Sequence, residues 1–208
     1  MRAFDDATRR NIAEACASFA RLPDAVEPSA LKRAAVVLAL TESHDGNETA
    51  FLLTMRASSL RSHRGQWALP GGRCDAGETP IEAALRELDE ELALRLPADA
   101  VLGLLDDYPT RSGYLITPVV VWAGAERSIA PNPAEVASVH PIPLGTIEHA
   151  NAFDFISIRE STRRVIRFHW EDRLIHAPTA AMIYQFREVL GGRDTRVADL
   201  EQPVFAWK

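Results

Sequence analysis

Three glutamates, Glu87, Glu90 and Glu91, lie close together in a segment with helical periodicity. Residues three and four apart are neighbours on an α-helix, so the three carboxylates are expected to converge on one stripe. Like charges at this spacing repel each other unless a cation lies among them. Carboxylate oxygens are hard ligands that suit Mg²⁺ or Mn²⁺. The stripe therefore predicts a divalent metal site, and a solvated acidic helix face is the competing interpretation.

The residues around the stripe fit a longer pattern, which makes a solvated face a poor explanation. A glycine pair precedes the helix, a further carboxylate lies at its start, and an arginine adjoins the cluster. The pattern is G-x5-E-x7-R-E-U-x-E-E, with U aliphatic, and its residues are Gly72, Glu78, Arg86, Glu87, Leu88, Glu90 and Glu91. At about 5–7% usage per residue type, a chance match in a chain of this length is on the order of one in a million.

This pattern resembles the Nudix box, the signature of the Nudix hydrolases. The resemblance implies an α+β fold, a Nudix-type α/β/α sandwich with a mixed β-sheet between helices, over about residues 30–190. It also implies hydrolysis of a nucleoside diphosphate linked to another moiety, with Mg²⁺ or Mn²⁺ as the cofactor. Divalent ions suit this chemistry because they neutralise phosphoryl oxygens and lower the pKa of bound water.

The same resemblance implies a set of metal-binding residues. Glu87, Glu90 and Glu91 are the implied ligands. Glu78 supports the metal site through water, and the carbonyl of Gly72 contributes to it.

Four residues are candidates for the catalytic step. Glu90, Glu91 and Arg86 belong to the box, where the arginine can orient or partly neutralise a carboxylate. Glu135 lies in a loop that enters a strand, and a loop carboxylate can be the general base in Nudix enzymes. An ordinary surface glutamate is the alternative at that position.

The start and end of the acidic helix are also marked in the sequence. Thr79 is the expected N-cap, with Glu82 as its capping-box partner. The family pattern continues E-E-x-G-U, and Ala93 replaces the glycine, which normally helps to end the helix. We therefore expect the helix to continue for about one more turn, over residues 80–96, until Pro97 stops it.

The segment before the box carries Arg56, Arg61 and Arg64, and guanidinium groups bind phosphate in pairs of hydrogen bonds. Residues 52–72 are similar to L-L-T-x-R-[S/A]-x3-R-x3-G-x3-F-P-G-G, the motif of the coenzyme A pyrophosphatase branch of the family. Leu69 replaces the phenylalanine. The three arginines are therefore the candidate substrate-binding residues, with solvated surface charges as the alternative.

Further segments bear on the same branch. Residues 105–120 and 131–136 are similar to it. The branch usually has Trp-Gly-x-Thr-Ala near its last helix, whereas the run from His176 to Ala180 keeps only Thr-Ala. If that run contacts the pantetheine arm, the change affects coenzyme A specificity and leaves pyrophosphohydrolysis intact.

Composition limits the class of protein. The chain has 208 residues, of which 47% are hydrophobic and 25% charged, as is typical of a globular domain with extensions. The net charge of −6 gives no overall attraction to nucleic acid. No apolar run approaches the about 20 residues of a membrane helix, and the N-terminus lacks the apolar stretch of a signal peptide. We expect a cytoplasmic protein that binds a small-molecule nucleotide diphosphate, without nucleic acid or membrane; a homodimer stays open.

The chain is expected to comprise an N-terminal helical extension (1–29), a Nudix hydrolase domain (30–192) and a C-terminal tail (193–208). The periodicities predict helices over 5–21 and 179–190 besides the acidic helix. They predict strands over 33–40, 50–56, 101–107, 115–123 and 135–142, with a possible hairpin of 164–170 and 172–176.

The preferred hypothesis is hydrolysis of coenzyme A or acyl-coenzyme A to 3′,5′-ADP and (acyl-)phosphopantetheine. A broader diphosphatase acting on ADP-ribose, dinucleotides or nucleoside triphosphates is the second hypothesis. A non-catalytic Nudix domain that senses a nucleotide is the third, and the intact set of glutamates argues against it.

Overall fold

The computed structural model describes residues 2–22, 30–46, 48–58, 65–125 and 129–204. The helices are α1 (Asp6–Ser18), α2 (Pro80–Leu92), α3 (Leu144–Glu148) and α4 (Thr179–Leu190). The strands are β1 (Lys32–Glu42), β2 (Thr49–Arg56), β3 (Trp67–Ala68), β4 (Gly71–Arg73), β5 (Val101–Leu104), β6 (Tyr108–Pro109), β7 (Tyr114–Gly124), β8 (Val136–Pro143), β9 (Phe153–Ile158), β10 (Ser161–Trp170) and β11 (Arg173–His176). Within these ranges no helix is long and apolar enough to cross a membrane.

The strands form two sheets. The larger one has eight strands, with β3-β2-β1-β7-β5 as its main path. Strand β4 pairs with β1, β6 with β7, and β8 with β2. The β1–β7 pair is parallel and the other pairs in this sheet are antiparallel, so the sheet is mixed. The smaller sheet is antiparallel, in the order β11-β10-β9.

Strand β1 lies between two hydrophobic cores. Because successive side chains of a strand point to opposite faces, Val37 and Ala39 belong to the core beneath α2. Leu38 and Leu40 belong to the other core, which also contains side chains of α1, α4 and the smaller sheet. Both faces of the large sheet are thus covered, and the prediction of an α/β/α sandwich with a mixed sheet is confirmed.

Helix α2 begins as the sequence predicts. The backbone N–H of Glu82 donates to the Thr79 hydroxyl over 3.2 Å, and the Glu82 carboxylate accepts the N–H of Thr79 over 2.8 Å. Pro80 occupies the first helical position, where its missing N–H costs nothing.

The end of α2 differs from the prediction. The helix ends at Leu92 and does not continue to residue 96, because Ala93 adopts a left-handed conformation with φ of 56°. The N–H of Leu94 then donates to the Leu88 carbonyl over 3.3 Å, a Schellman-type closure. Leu94 is 1% exposed and joins the core that contains Leu88. Burial of Leu94 thus outweighs the cost of a left-handed alanine.

Two further features were not predicted. Strand β9 turns the expected hairpin of β10 and β11 into a three-stranded sheet. Residues after α4 return to this sheet, where Glu201 forms a parallel bridge with Val165. The three segment boundaries 1–29, 30–192 and 193–208 stay a prediction.

We predict that Ala93→Gly stabilises the protein. Left-handed backbone costs a non-glycine residue about 1–2 kcal/mol, and the extra chain entropy of glycine cancels about 0.5–1 kcal/mol of the relief. The side chain of Ala93 is exposed, so little packing is lost. Thermal unfolding should show a midpoint about 1–3 °C higher. Ala13→Gly, within α1, is the matched control and should lower the midpoint; a lower midpoint for Ala93→Gly would contradict the argument.

Candidate active site

The guanidinium group of Arg86 lies at the centre of three carboxylates. Its Nε donates to Glu78 Oε1 over 2.9 Å, and its Nη2 donates to Glu78 Oε2 over 3.1 Å. Its Nη1 donates to Glu87 Oε1 over 2.9 Å and to Glu90 Oε2 over 3.1 Å. A fifth bond, from Nη2 to the Arg73 carbonyl over 2.9 Å, ties the cluster to β4. Four residues of the predicted site are thus brought together, with Arg86 supplying the positive charge among the carboxylates.

Glu91 lies apart from this guanidinium, in the interior. The residue is 3% exposed, and its Oε2 accepts the backbone N–H of Gly71 over 3.2 Å. Burial raises the pKa of Glu91 to about 7, against the lowering effect of the Gly71 hydrogen bond and of Arg56, whose Nη1 is 3.8 Å from Glu91 Oε1. Burial also raises the pKa of Glu87. The acidic stripe therefore has an inner side, where carboxylates are desolvated, and an outer side, where Glu90 is exposed.

The glycine pair passes between β1 and α2 with no room for side chains. Gly71 and Gly72 pair with Val36 and Ala35 of β1. A Cβ on Gly71 would lie 2.2 Å from the Ala35 carbonyl oxygen, and one on Gly72 would lie 2.2 Å from Glu87 Oε1. This close approach allows the Gly71 N–H to reach Glu91 and sets the Gly72 backbone beside Glu87.

The loop before β8 is attached to the end of α2. The N–H groups of Ala130 and Asn132 donate to the carbonyls of Leu92 and Glu91 over 3.0 and 2.8 Å, which satisfies acceptors that the helix leaves open. Glu135 follows in this loop, and its charge adds to the raised pKa of both Glu87 and Glu91. Glu135 therefore lies near the inner carboxylates, Glu87 and Glu91. Nothing in the sequence indicated the backbone hydrogen bonds that hold this loop against the end of α2.

The donors in this cluster fit a divalent cation in their chemistry. They are carboxylate oxygens and a nearby backbone carbonyl, which are hard ligands for Mg²⁺ or Mn²⁺. In the part of the chain that the structure describes, no three His, Cys, Asp or Glu side chains are arranged to hold an ion. Arg86 binds Glu87 and Glu90 instead, so a cation would have to compete with its guanidinium for these oxygens.

A cavity of about 730 Å³ opens beside the glycine pair. This volume is within the range of about 300–1,000 Å³ typical of small-molecule sites. Arg56, Arg73 and Tyr114 contribute polar and aromatic groups to its lining, and the Arg73 guanidinium lies 5.1 Å from the centre of the Tyr114 ring. The segment from β11 into α4 contributes apolar groups: Leu174, Ile175, Ala177, Pro178 and Met182.

The predicted substrate-binding arginines divide into two groups. Arg56 lines the cavity, and its Nε is buried without a hydrogen-bond partner among the described residues. Arg61 and Arg64 lie outside the described residues. Arg73 was not among the predicted site residues, because no local pattern indicates which remote elements will complete a cavity. Within the 174–182 segment, the sequence singled out only the run from His176 to Ala180, as a region whose contact with the pantetheine arm would bear on specificity.

These features define a mixed-sheet sandwich with a glycine pair held against an acidic, capped helix, and comparisons with known proteins agree. The NUDIX domain model matches residues 30–161. The uncharacterised Nudix hydrolase NudL of Photorhabdus laumondii is 36% identical over 140 residues, which cover 66% of this chain and 75% of that protein. Its namesake from Pectobacterium atrosepticum is 34% identical over 168 residues, 79% of this chain and 86% of that protein. The chain belongs to the Nudix family and is a Nudix hydrolase.

A solved structure supports the fold assignment independently. The MutT/nudix family protein from Enterococcus faecalis superposes with a TM-score of 0.56 at 21% identity, covering 90% of this chain and 75% of that one. At this identity the likeness concerns the fold alone.

We predict that Gly71→Ala and Gly72→Ala differ in their effect on stability. In Gly71→Ala the new Cβ meets backbone atoms of β1 and the φ of 147° is unfavourable, so the protein should lose much of its stability. In Gly72→Ala the three atoms nearest to the new Cβ are all at the end of the Glu87 side chain, which can move away. The second variant should keep its melting temperature to within about 2 °C, because an exchange without backbone strain is usually small, while Glu87 is displaced. Thermal melts and a crystal structure of Gly72→Ala check both halves; similar melting temperatures for the two variants would contradict the prediction.

We also predict that Glu91→Gln stabilises the metal-free protein in a pH-dependent way. Because the folded-state pKa of about 7 lies above the ordinary 4.5, the proton on Glu91 favours folding at low pH, and this contribution is lost as the pH rises through 7. The variant should exceed the wild type by about 1–3 kcal/mol at pH 8, in the presence of a chelator, and by much less at pH 4. Glu90→Gln, at an exposed position of the same helix, is the control. Denaturant titrations at the two pH values measure the difference, and a gain in stability independent of pH would refute the assignment to burial.

Proposed function

We propose that this enzyme hydrolyses the diphosphate bond of a nucleotide derivative, with coenzyme A or acyl-coenzyme A as the preferred substrate. The products would be 3′,5′-ADP and (acyl-)phosphopantetheine. The observation that carries the proposal is the continuity of one cavity from the glycine pair to the apolar segment of β11 and α4. The same glycine pair contacts the acidic cluster, at Glu91 through the Gly71 N–H and at Glu87 beside Gly72. The cavity has a polar and aromatic part near the glycine pair and an apolar part at the 174–182 segment. A diphosphate with a nucleoside on one side and a long, partly apolar arm on the other fits these two parts.

The acidic cluster is proposed to bind Mg²⁺ or Mn²⁺. Glu87, Glu90 and Glu91 would be the direct ligands, Glu78 would act through water, and the carbonyl of Gly72 would contribute. When bound, such an ion supplies charge neutralisation at the phosphoryl oxygens and lowers the pKa of water.

The carboxylates of this chain would also handle the proton of the attacking water. Water oxygen forms the new P–O bond, the bridging oxygen leaves with the other phosphate, and a base takes up the released proton. Glu91 is one candidate base, since its carboxylate lies on the buried side of the cluster. Glu90 and Glu135 are the other candidate bases. Arg86 would orient the carboxylates and balance their charge.

Cationic side chains and apolar side chains would bind different parts of the substrate. Arg56 lines the cavity close to Glu91, which suits a contact with phosphate. Arg61 and Arg64 are proposed for the same role on sequence grounds. Leu174 is 43% exposed and lines the cavity beside the other apolar side chains of the 174–182 segment, which suits contact with an apolar arm.

A broader diphosphatase is the second candidate. The run from His176 to Ala180, which departs from the coenzyme A branch, borders the same cavity, and this favours ADP-ribose, dinucleotides or nucleoside triphosphates as substrates. The desolvated carboxylates argue against the third candidate, a non-catalytic sensor, because burial of unneeded acids only costs stability. A cytoplasmic location and a homodimer stay predictions.

A panel of diphosphates with Mg²⁺ and Mn²⁺ tests the proposal, with both products identified by mass. We expect kcat/KM for coenzyme A or acyl-coenzyme A to exceed that for ADP-ribose and ATP, with 3′,5′-ADP and phosphopantetheine as products. Glu91→Gln should lower kcat at least about a hundredfold, because a carboxylate ligand and base is lost. Equal or better turnover of ADP-ribose would contradict the coenzyme A proposal and favour the broader diphosphatase. If no diphosphate is turned over, the non-catalytic sensor is the remaining candidate.

Leu174→Asp tests whether the apolar segment binds the second arm. The new charge should raise KM for acyl-coenzyme A about five- to tenfold, since apolar contact is lost, and should leave KM for ADP-ribose nearly unchanged. Leu22→Asp is the matched control, because Leu22 is 51% exposed and does not line the cavity. Equal changes for both substrates would contradict the placement of the arm.

A further inference from the structure

The residues that follow α4 return to the substrate cavity. Gln202 lines the cavity together with Thr110, Ser112 and Tyr114. The last three belong to the 110–114 turn, the residues 110–114 that connect β6 to β7. The segment 200–202 and this turn are about ninety positions apart in sequence and meet at the cavity wall.

The 110–114 turn is closed by its own hydrogen bonds. The N–H of Thr110 donates to the Tyr114 carbonyl over 2.7 Å, and the Thr110 hydroxyl accepts the N–H of Tyr114 over 2.9 Å. These bonds fix the shape of the turn but not its direction relative to the cavity. The direction depends on contacts with other elements.

Besides the bond from the Lys32 N–H of β1 to the Gly113 carbonyl over 2.9 Å, the turn has an attachment to the C-terminal segment, which Arg111 provides. Its Nε donates to Glu201 Oε1 over 3.1 Å and its Nη2 donates to Glu201 Oε2 over 2.6 Å, a paired arrangement. The backbone N–H of Arg111 also donates to Gln202 Oε1 over 3.2 Å. The turn is therefore attached to the C-terminal segment through both the side chain and the backbone of one residue.

Glu201 is itself firmly held. It is 2% exposed, its N–H donates to the Arg164 carbonyl over 2.8 Å, and it bridges to Val165 of β10. Next to it, the Tyr108 hydroxyl donates to the Leu200 carbonyl over 2.7 Å. The hydrogen bond from Arg111 lowers the pKa of Glu201 to about 2, so the carboxylate is charged at ordinary pH.

We infer that Arg111 and Glu201 are positioning residues for substrate binding. Through their ion pair the C-terminal segment holds Thr110 and Ser112 of the turn in the cavity wall. These two residues lie next to Tyr114, whose strand β7 pairs with β1. The inference rests on the proposed function, because it assumes that this cavity takes the nucleotide. Neither residue lies among the carboxylates that perform the chemistry, so their effect is on binding.

Arg111→Met and Arg193→Met form a matched pair for the test. Arg111 and Arg193 are 46% and 53% exposed, and each pairs through two bonds with a buried glutamate, Glu201 and Glu188. Arg193 does not line the cavity. Both substitutions remove one ion pair of the C-terminal segment and should lower stability to a similar extent.

The two variants should differ in binding. Arg111→Met should raise KM for the best diphosphate substrate about tenfold or more, as expected when a paired, charge-assisted contact is lost. Its kcat should stay within about threefold of the wild type, because the carboxylate cluster is untouched. Arg111→Lys, which keeps the charge, should restore part of the change. Arg193→Met should leave both constants as they are. The thermal shift caused by 3′,5′-ADP provides a second readout, and it should shrink in Arg111→Met alone.

Several outcomes would overturn the inference. The ion pair is only a structural contact if Arg111→Met keeps the KM and the ligand-induced thermal shift of the wild type. The same conclusion holds if Arg193→Met changes KM and the thermal shift as much as Arg111→Met does. A wild-type chain that binds 3′,5′-ADP without cleaving any diphosphate would refute the proposed hydrolysis, while the thermal shift still tests the positioning role. A wild-type chain that neither binds nor cleaves would overturn both.

Discussion

The narrow passage between β1 and α2 constrains the whole site. Residues 71 and 72 run through it as backbone only, since a Cβ at either position would meet atoms at 2.2 Å. The passage brings the Gly71 N–H to Glu91 and the Gly72 backbone to Glu87. Helix α2 is thereby fixed against the sheet at the turn of the helix that carries the acids. The small side chains of Ala35 and Ala39 on that face of β1 allow the same close packing.

That packing brings like charges together in a partly desolvated environment, and the fold accommodates them in two ways. On the outer side, Arg86 pairs with Glu78 and Glu90, and its guanidinium also reaches the partly desolvated Glu87. On the inner side, Glu91 accepts one backbone N–H among the described residues, and Arg56 Nη1 lies 3.8 Å from its Oε1. Burial raises the pKa of Glu91 to about 7. Such an acid destabilises the fold at neutral pH, which is the usual sign of a group kept for function.

The sequence predicted local features well and remote ones poorly. The capping box at Thr79 and the acidic stripe depend on neighbours within a few positions, and both are where the pattern indicated. The predicted end of α2 was wrong because the prediction rested on Ala93 alone. The left-handed conformation of Ala93 is favoured by the burial of the next residue, Leu94. Strand β9 was missed because its identity depends on pairing with β10. The cavity wall joins residues that no local pattern connects.

This division between local and remote features bears on how the enzyme chooses its substrate. Apart from Glu135, the residues proposed for hydrolysis come from one continuous stretch, from the glycine pair to the end of α2. The reaction class can therefore be predicted from the sequence. The rest of the cavity comes from β11, α4 and the 110–114 turn, which converge only through tertiary packing. Substitutions there alter the cavity shape without altering the carboxylates. Within one family, the bond that is cleaved can therefore stay constant while the moiety that is recognised changes with these remote elements.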